Sequence, residues 1–476
     1  MKPARLVMPA LRWRAESGFG HEQAAIDAAI AAGVGGFIVF GGTPEDVLEL
    51  TSRIRHAAGR PLLIGADLER GPGQQVTGLA ELPPPLALAS LDDGAAARAA
   101  GRITGEGARS VGINWAFAPV CDLDIEANNP IVQTRSFGAE PEAVARQVAE
   151  WVGGAREAGV LTAAKHFPGH GRTRHDSHDR LPVVDTPLDR LEREDLTPFR
   201  AAIAAGVDAV MTAHVAYPAL DATLTPATRS APILDRLRAA PPVGLDFGGL
   251  VVSDALIMEG FAGGLGPVAG AVAAVAAGVD VLLYPPDPIA VVAGLEQALA
   301  SDPGFEARVG QALARQAAAL DRLARAEPAR AEADRSGAAI EAAALAARLV
   351  TRGAPTVTLR APLELEVVDD DLDGAWPASP NDFVERSLRA AGVPLGPGGT
   401  RIVLAYAEPR ASKGRAGFGP RCRAALAAGR PDLVVLFAHP RLEAELPAGV
   451  PVVRAWHRQR LMQEAVAAWM VAGLGK

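Results

Sequence analysis

The residues best suited to chemistry in this chain are concentrated between positions 165 and 182, KHFPGHGRTRHDSHDRLP. Four of the nine histidines of the chain lie within thirteen consecutive positions of this segment: His166, His170, His175 and His178. Pro168, Gly169 and Gly171 lie between them and are typical of an irregular loop. Titratable side chains gain little packing energy on a loop, so their density here predicts a functional site.

Asp176 and His178 form the most reactive pair within this loop. A carboxylate beside an imidazole orients the ring and favours its protonated form. Such a histidine can donate and accept a proton near neutral pH, which suits general acid–base catalysis. The alternative is a surface loop in which Asp176 only caps a turn.

A second candidate is Asp254, which ends the apolar run of GLVVSDALIMEG at 249–260. A carboxylate there could be a nucleophile, a metal ligand or the N-cap of a helix. With a separate acid–base loop in the same chain, the nucleophile becomes plausible. Glycoside hydrolysis needs that combination, because one group attacks the anomeric carbon while another protonates the leaving oxygen.

Further charged residues are predicted to bind the many hydroxyl groups of a carbohydrate substrate. These substrate-binding candidates are Asp67, Arg135, Lys165, His166 and His214. Structural ion pairing is the alternative for the charged members, and His214 could equally be a core histidine. His170 and His175 could serve only to order the loop.

Short apolar runs alternate with helical patterns over the first 300 residues, which predicts a parallel sheet with helical crossovers. The eight runs are ARLVMPA (4–10), GGFIVF (35–40), PLLIGAD (61–67), GINWAFAPV (112–120), VLTAAKHF (160–167), DAVMTAH (208–214), GLVVSDA (249–255) and VDVLLYP (279–285). Eight units of this size predict an α/β fold of the (β/α)₈ TIM barrel type, with a doubly wound open sheet as the alternative. In a barrel, Asp67, Lys165 and Asp254 would meet at the carboxyl ends of the strands.

The remainder of the chain is predicted to form a smaller α/β sandwich domain. Helical stretches at 305–326 and 331–350 lead into four further apolar runs, at 362–371, 400–408, 432–440 and 450–456. The predicted division is therefore a catalytic barrel over 1–330 and a second domain over 331–476. The run Asp369–Asp371 is interpreted as a solvated turn rather than a metal or phosphoacceptor site.

Composition excludes several classes of function. Hydrophobic residues make up 49% and charged residues 21%, and the formal net charge of −8 comes without a basic stripe, so no nucleic-acid partner is expected. The sequence has no run of about 18 apolar residues, so no membrane helix is predicted. The N-terminus lacks the apolar core of a signal peptide, so a cytoplasmic location is expected. Two distant cysteines predict neither disulfides nor zinc. The oligomeric state is not predicted.

Two other classes of function are compatible with the same residues. A metal-dependent barrel hydrolase could take ligands from His166-x₃-His170 and His175-x₂-His178. Against it, the first strand has no His-x-His pair and no carboxylate-rich companion site follows. A non-catalytic sugar-binding protein would require Asp254 or His178 to be dispensable, and both are present.

These motifs resemble family 3 of the glycoside hydrolases, and more narrowly its bacterial β-N-acetylglucosaminidase (β-hexosaminidase) branch. The resemblance covers residues 5–300, and the remainder is similar to the α/β sandwich that follows the barrel in some members. The matching segments are KHFPGHG…DSH…LP (165–182), SDALIM (253–258), APVCDLD (118–124), NNPIVQTRSFG (128–138), LPPPLALA (82–89), MTAHVAYPALD (211–221) and TPATRS (225–230).

The resemblance implies a role for each candidate. Asp254 matches the nucleophile that forms a covalent glycosyl-enzyme, and His178, supported by Asp176, matches the acid/base. The residues matching those that hold the sugar on the non-reducing side of the cleaved bond are Asp67, Arg135, Lys165 and His166. The family's β-glucosidases take their acid/base from a glutamate elsewhere, so the D-S-H sequence implies N-acetylglucosamine rather than glucose.

The function implied is therefore a retaining, exo-acting β-N-acetylglucosaminidase that needs no cofactor and no metal. Its substrates would be muropeptides or chitooligosaccharides, and a cytoplasmic location would suggest peptidoglycan recycling. A family 3 phosphorylase, in which phosphate replaces water, is the nearest alternative. A β-glucosidase or β-xylosidase is the next.

Two segments depart from the family pattern. The family motif D-x-E-G-G-x-V-x-R corresponds here to DLERGPGQQV at 67–76, where the second glycine and the trailing arginine are displaced or missing. The family's contacts from this loop cannot therefore be carried over. Arg172 follows GHG where aspartate is common, which changes the local charge of the histidine-rich loop.

Overall fold

The computed structural model describes residues 1–262, 264–326, 335–371, 380–408, 413 and 415–474. The strands of this part of the chain are β1 (Val7–Met8), β2 (Ala10–Arg12), β3 (Gly36–Phe40), β4 (Leu63–Ala66), β5 (Trp115–Ala116), β6 (Leu161–Phe167), β7 (Ala209–Thr212), β8 (Leu250–Ser253), β9 (Leu282–Leu283), β10 (Leu363–Asp369), β11 (Thr400–Tyr406), β12 (Leu433–Phe437) and β13 (Val452–Arg454).

Helices separate most of these strands. They are α1 (Gln23–Ala32), α2 (Pro44–Ala58), α3 (Pro85–Ser90), α4 (Gly94–Ser110), α5 (Pro141–Glu157), α6 (Leu188–Arg193), α7 (Thr197–Ala204), α8 (Ala231–Arg238), α9 (Glu259–Ala262), α10 (Pro267–Ala277), α11 (Pro288–Ser301), α12 (Pro303–Arg325), α13 (Arg335–Thr351), α14 (Phe383–Ala390), α15 (Pro420–Ala428) and α16 (Arg460–Leu474).

Local sequence sets the ends of these helices, as α2 illustrates. The Thr43 side chain accepts the backbone N–H of Asp46 at 3.2 Å, and Pro44 takes the first helical position. Gly59 ends the helix with a left-handed φ of 60°, a conformation that glycine adopts without a Cβ clash. Val47, Leu50 and Ile54 are buried on one face of α2.

The first sheet is entirely parallel, which confirms the predicted α/β fold. Seven strands pair in the order β2-β3-β4-β5-β6-β7-β8, and β1 pairs with β9. A bridge from Val252 to Val281 joins β8 to the start of the β9 segment. Strands β4, β6, β7 and β8 are buried along their whole length, as expected when helices cover both faces of a sheet.

The N-terminal strand differs from the prediction of 4–10. Residues Pro3–Leu6 form a 3₁₀ turn, and the strand then runs from Val7 to Arg12 with an interruption at Pro9. Proline has no N–H to donate to a neighbouring strand, which separates the pairing of β1 from that of β2. Strands occur in all seven other predicted runs, each shorter than its run.

The C-terminal part of the chain forms a second sheet of four parallel strands, in the order β10-β11-β12-β13. The four apolar runs predicted there each contain one of these strands. The predicted boundary at 330/331 lies outside the described residues. Within the described part of the chain, no helix is long and apolar enough to cross a membrane.

The interpretation of Asp369–Asp371 as a solvated turn is wrong, because Asp369 and Asp371 are buried. The Asp369 carboxylate pairs with Arg458 at 2.8 Å, and that of Asp371 pairs with Arg415 at 2.6 Å and Lys413 at 3.0 Å. Asp370 accepts the backbone N–H groups of Arg421 and Cys422 at the start of α15. The cluster therefore anchors the end of β10 by charge pairing and helix capping.

Polar contacts tie the second sheet to the first. The imidazole of His439 lies 2.7 Å from the Asp124 carboxylate, which also pairs with Arg441. The Gln459 amide donates to the carbonyl of Leu82 at 2.6 Å. These contacts connect the chain after β12 and β13 with loops that lie close to the predicted site.

Candidate active site

A cavity of about 410 Å³ opens at the carboxyl ends of the strands of the first sheet. Most of the predicted site residues line it: Asp67, Arg135, Lys165, His166, His178 and Asp254. Asp67 and Asp254 directly follow β4 and β8, and Lys165 and His166 belong to β6. The common direction of parallel strands brings these distant residues to one place.

Four charged side chains on one wall of the cavity are linked by ion pairs. The Lys165 ammonium lies 2.7 Å from Asp67 Oδ1 and 2.7 Å from Glu69 Oε1. The Arg135 guanidinium binds both Glu69 oxygens at 2.8 Å. Two positive and two negative charges therefore balance, and the bidentate geometry fixes the Arg135 plane.

Burial and charge act against each other in this network. Burial alone would raise the pKa of Glu69, but Arg135 and Lys165 hold it well below its usual value. Burial would lower the pKa values of Arg135 and Lys165, yet the carboxylates raise both. All three groups therefore stay charged at neutral pH and present fixed donors and acceptors to a ligand.

His166 is oriented by the buried carboxylate of Asp122. Its Nδ1 lies 2.6 Å from Asp122 Oδ2, while Asp122 Oδ1 accepts the backbone N–H groups of His166 and His170. Burial would raise the pKa of Asp122, but the adjacent His166 lowers it. One carboxylate thus fixes both the imidazole and the start of the histidine-rich loop.

His178 and Asp176 have the geometry expected of an acid–base pair. The Asp176 side chain is buried and accepts from both His178 Nδ1, at 2.7 Å, and the His178 backbone N–H, at 2.9 Å. Burial alone would lower the pKa of His178, but Asp176 and then Asp254 raise it above its usual value. The Nε2 atom is left as the proton-bearing group that can reach a ligand.

The other two histidines of the loop have different surroundings. His170 is buried, with Nδ1 2.7 Å from the Thr173 hydroxyl and Nε2 3.0 Å from that of Ser177, and burial lowers its pKa to about 4. His175 is exposed and bonds to Arg180. The structure therefore does not gather the four histidines as the metal alternative requires, and the described part of the chain contains no metal-binding group of three or more ligands.

Asp254 follows β8 and lines the cavity. Burial alone would raise its pKa, but the adjacent His166, the backbone N–H of Ala255 at 2.7 Å and His178 lower it. The carboxylate is therefore ionised at neutral pH. An ionised carboxylate beside a protonatable imidazole is the electrostatic arrangement that a nucleophile and its acid partner need.

His214 does not line the cavity. It is fully buried, with Nδ1 2.8 Å from the Thr228 hydroxyl and Nε2 3.1 Å from the carbonyl of Ala255. Burial lowers its pKa to about 4, so the ring is neutral. The ring of His214 therefore contacts the residue that directly follows Asp254. A direct role of His214 in substrate binding stays a prediction.

The histidine-rich loop rests on the first turn of α9. The Gly260 N–H donates to the Ser177 carbonyl at 2.9 Å, and the Glu259 N–H donates to that of His178 at 3.4 Å. A Cβ on Gly260 would lie 2.8 Å from the Ser177 carbonyl, so any larger residue would push the loop away. The segment that carries Asp254 thereby sets the position of His178.

Arg172, whose role the sequence left unexplained, points away from the cavity. Its Nε donates to Asp195 at 2.8 Å, and its guanidinium also pairs with Glu194. Burial raises the pKa of Asp195 to about 6, and Arg172 opposes this increase. Arg172 therefore anchors the outer side of the loop.

Sequence reasoning missed Glu69, which lines the cavity, and Asp122, which orients His166 from behind it. Both lie in segments that carried a signal, since Glu69 stands two residues after Asp67 and Asp122 lies in the APVCDLD motif. It also missed Arg70, Tyr284 and Glu408, which line the cavity. Glu408 follows β11 of the second sheet, and no apolar periodicity predicts contact between the two sheets.

Comparison with known proteins places the chain in a family. Residues 4–318 match the profile of the glycosyl hydrolase family 3 N terminal domain. The chain belongs to glycosyl hydrolase family 3. The resemblance inferred from the histidine-rich loop and the strand-end aspartate is thereby confirmed.

Relatives in glycosyl hydrolase family 3 differ in how much of their length is matched. A β-N-acetylglucosaminidase/β-glucosidase of Cellulomonas fimi is 36% identical over 257 residues, which are 53% of this chain and 46% of that protein. The chain thus spans less than half the length of this relative. A β-hexosaminidase of Idiomarina loihiensis is 34% identical over 312 residues, 62% of this chain and 91% of the relative.

A solved structure resembles the chain over nearly its whole length. It is that of a glycoside hydrolase family 3 β-N-acetylglucosaminidase from Paenibacillus sp., with a TM-score of 0.81 and 28% identity. The alignment covers 99% of this chain and 96% of that one. The similarity therefore extends to the part of the chain that forms the second sheet.

The role of Asp176 can be tested by the pH dependence of catalysis. A general acid must be protonated, so kcat/KM falls as pH rises through the His178 pKa. Asp176 raises that pKa, and Asp176→Asn should therefore move the alkaline limb of kcat/KM to lower pH. The measurement is a pH profile of kcat/KM for N,N′-diacetylchitobiose, whose leaving hydroxyl needs a proton.

Asp179→Asn serves as the matched control, because Asp179 is exposed in the same loop. Its profile should follow that of the unmodified protein. An unchanged alkaline limb in Asp176→Asn would contradict the electrostatic support assigned to Asp176.

Proposed function

We propose that this protein is a retaining β-N-acetylglucosaminidase that removes terminal β-linked N-acetylhexosamine from a carbohydrate. The observation that carries the proposal is that an ionised Asp254 and His178, which is bound to Asp176, line one cavity. The names of the relatives from Cellulomonas, Idiomarina and Paenibacillus support the choice of sugar.

The first step transfers the sugar to Asp254. A carboxylate oxygen of Asp254 attacks the anomeric carbon as the bond from that carbon to the leaving oxygen breaks. His178 gives its Nε2 proton to the leaving oxygen and becomes neutral, with Nδ1–H still bound to Asp176. Asp176 stays ionised throughout, and before the transfer its carboxylate stabilises the protonated form of His178.

The second step releases the sugar. Neutral His178 takes a proton from a water molecule as that water attacks the anomeric carbon, and Asp254 departs as the carboxylate. Two displacements at the same carbon restore the β configuration, so the product retains its anomeric configuration. Both steps use only side chains of this protein and water.

The four-charge network is proposed to hold the terminal sugar. Asp67, and His166 beside the network, are proposed to accept and donate hydrogen bonds to the sugar hydroxyls. Glu69 keeps Lys165 in position, and Asp122 keeps His166 in position. A cavity of about 410 Å³ is near the lower end of small-molecule pockets, which supports exo action on a single terminal sugar. His214 is proposed to position Ala255, and through it Asp254.

We further propose that the first sheet is a (β/α)₈ barrel and that the four-stranded sheet belongs to a separate α/β domain, with the division near 330/331. The pairing of β1 with β9 and the bridge from Val252 to Val281 support the barrel. The cytoplasmic location, the peptidoglycan-recycling role and the choice between muropeptides and chitooligosaccharides stay predictions from the sequence.

A panel of aryl β-glycosides tests the proposed activity. The 4-nitrophenyl β-glycosides of N-acetylglucosamine, N-acetylgalactosamine, glucose and xylose are assayed with and without phosphate. Hydrolysis of the N-acetylglucosaminide with retention, at a rate independent of phosphate, is the expected result. Preference for glucose or xylose would contradict the proposed substrate. Formation of a sugar 1-phosphate would show that the reaction is phosphorolysis and not hydrolysis.

A further inference from the structure

A second cavity, of about 390 Å³, is lined by residues from both parts of the chain. Leu86 of α3 and Gln147 of α5 lie on one side, and Pro440 and Trp456, which follow β12 and β13, lie on the other. Among the described residues, none lines both this cavity and the one at the strand ends. Its volume is close to that of the strand-end cavity and within the range of small-molecule sites, so a single sugar unit would fit.

Three buried side chains of the second cavity each keep one polar atom without a hydrogen-bond partner in the described part of the chain. These atoms are Asp124 Oδ1, Gln147 Oε1 and Trp456 Nε1. Each of the three residues is more than nine-tenths buried. An unpaired buried donor or acceptor costs free energy, so native structures rarely keep three around one cavity. Together the three atoms match a ligand that offers two donors and one acceptor.

The charges around the second cavity balance. Asp124 pairs with Arg441, and the exposed Asp92 and Arg146 bring one charge of each sign to the rim. The Nδ1 of His439 accepts the Arg441 backbone N–H at 3.0 Å, so the neutral ring donates from Nε2 to Asp124. Two carboxylates and two guanidinium groups leave no net charge, which favours a neutral ligand over an ion.

Aromatic and aliphatic side chains supply the rest of the lining, among them Phe137, Trp456, Leu86 and Pro440. Trp456 has a left-handed φ of 63°, which bulky residues rarely adopt, and its N–H donates to the Leu436 carbonyl at 3.1 Å. Strained residues of this kind cluster at ligand sites. A pyranose matches the lining, because its ring C–H groups pack on apolar and aromatic side chains while its hydroxyls donate and accept hydrogen bonds.

We propose that the second cavity is a binding site for a neutral saccharide, separate from the catalytic site. Sugar hydroxyls donate to Asp124 Oδ1 and Gln147 Oε1, and one accepts from Trp456 Nε1. Because these atoms are buried in the cavity wall, the side chains turn toward the sugar as it binds. The site does not depend on the proposed hydrolysis, since binding there requires no reaction.

Hydrogen–deuterium exchange of the full chain with N-acetylglucosamine tests the site by its location. The sugar should slow exchange in peptides that cover α5 and residues 452–458, because binding suppresses local opening. Glucosamine, which is positively charged, and glucuronic acid, which is negatively charged, should protect the same peptides only at higher concentrations. Better protection by either charged sugar would overturn the assignment to a neutral ligand.

Two variants remove single partners of the sugar. Gln147→Leu removes an acceptor at similar side-chain size and should raise the N-acetylglucosamine concentration for half-protection of α5 by about tenfold. Trp456→Phe keeps an aromatic ring without the donor and should act in the same direction. Gln297→Leu and Trp469→Phe are the matched controls, since these residues lie outside the second cavity on α11 and α16, and they should change nothing.

Protection of the histidine-rich loop at 165–182 reports the catalytic cavity separately. If the α5 peptides are protected through Gln147 in a protein that cleaves no β-glycoside, the second site stands and the proposed function fails. If N-acetylglucosamine protects the loop but not α5, the second site is overturned. Protection of α5 that is unchanged in both Gln147→Leu and Trp456→Phe would overturn it as well.

Discussion

Asp254→Asn should lower kcat for aryl β-N-acetylglucosaminides by at least about a thousandfold, because the amide cannot attack the anomeric carbon. The loss should be equally large on activated and unactivated substrates, since no leaving group removes the need for a nucleophile. Steady-state rates with 2,4-dinitrophenyl β-N-acetylglucosaminide and with chitobiose measure it. Rates near those of the unmodified protein would remove Asp254 from the mechanism.

Product analysis makes this test sharper. Asp254→Gly opens space at the nucleophile, so azide should restore turnover of the activated substrate and give the α-glycosyl azide. Asp235→Asn is the matched control, because Asp235 is exposed on α8 away from the cavity. A β-glycosyl azide would indicate that azide attacks a glycosyl-enzyme formed on another residue.

His178→Ala should have a strongly substrate-dependent effect. For chitobiose, whose leaving hydroxyl needs a proton, kcat/KM should fall by about a thousandfold, within the range for a lost general acid. For the 2,4-dinitrophenyl glycoside, whose leaving group departs as an anion, the loss should be about tenfold or less. Brønsted plots of rate against leaving-group pKa measure the difference.

Two further variants separate His178 from its competitors. His175→Ala changes an exposed histidine of the same loop and should leave both rates unaltered. Glu408→Gln tests a protonatable group that reaches the cavity from the second sheet. If Glu408→Gln showed the leaving-group dependence and His178→Ala did not, the acid would come from the second sheet.

The sequence predicted well which segments form strands and where the carboxyl ends of those strands meet. Buried parallel strands produce continuous apolar runs, and the runs that include Asp67, His166 and Asp254 each contain a strand. Because parallel strands share one direction, the residues at their carboxyl ends converge without any long-range signal. The catalytic candidates were visible because they occupy those ends.

The residues behind the site were harder to predict. Glu69 and Asp122 are buried charges, and a single sequence does not show which cation each one meets. Arg172 illustrates the same difficulty, since the sequence shows only that it changes the charge of the histidine-rich loop and not that its partners are Glu194 and Asp195 on the outer side. His214 has a strand-end position like that of Asp254, yet its ring packs into the interior. Side-chain direction after a strand depends on packing that periodicity does not encode.

The contact between Asp124 and the second sheet limits how the protein can be shortened. Asp124 is buried in the loop that also carries Asp122, and its side-chain partners are His439 and Arg441. Excising the chain after α12 would remove both partners, so the Asp124 carboxylate would lose its charge pairing in the loop whose Asp122 orients His166. A minimal catalytic fragment would therefore need a neutral residue at position 124 as well as a new C-terminus.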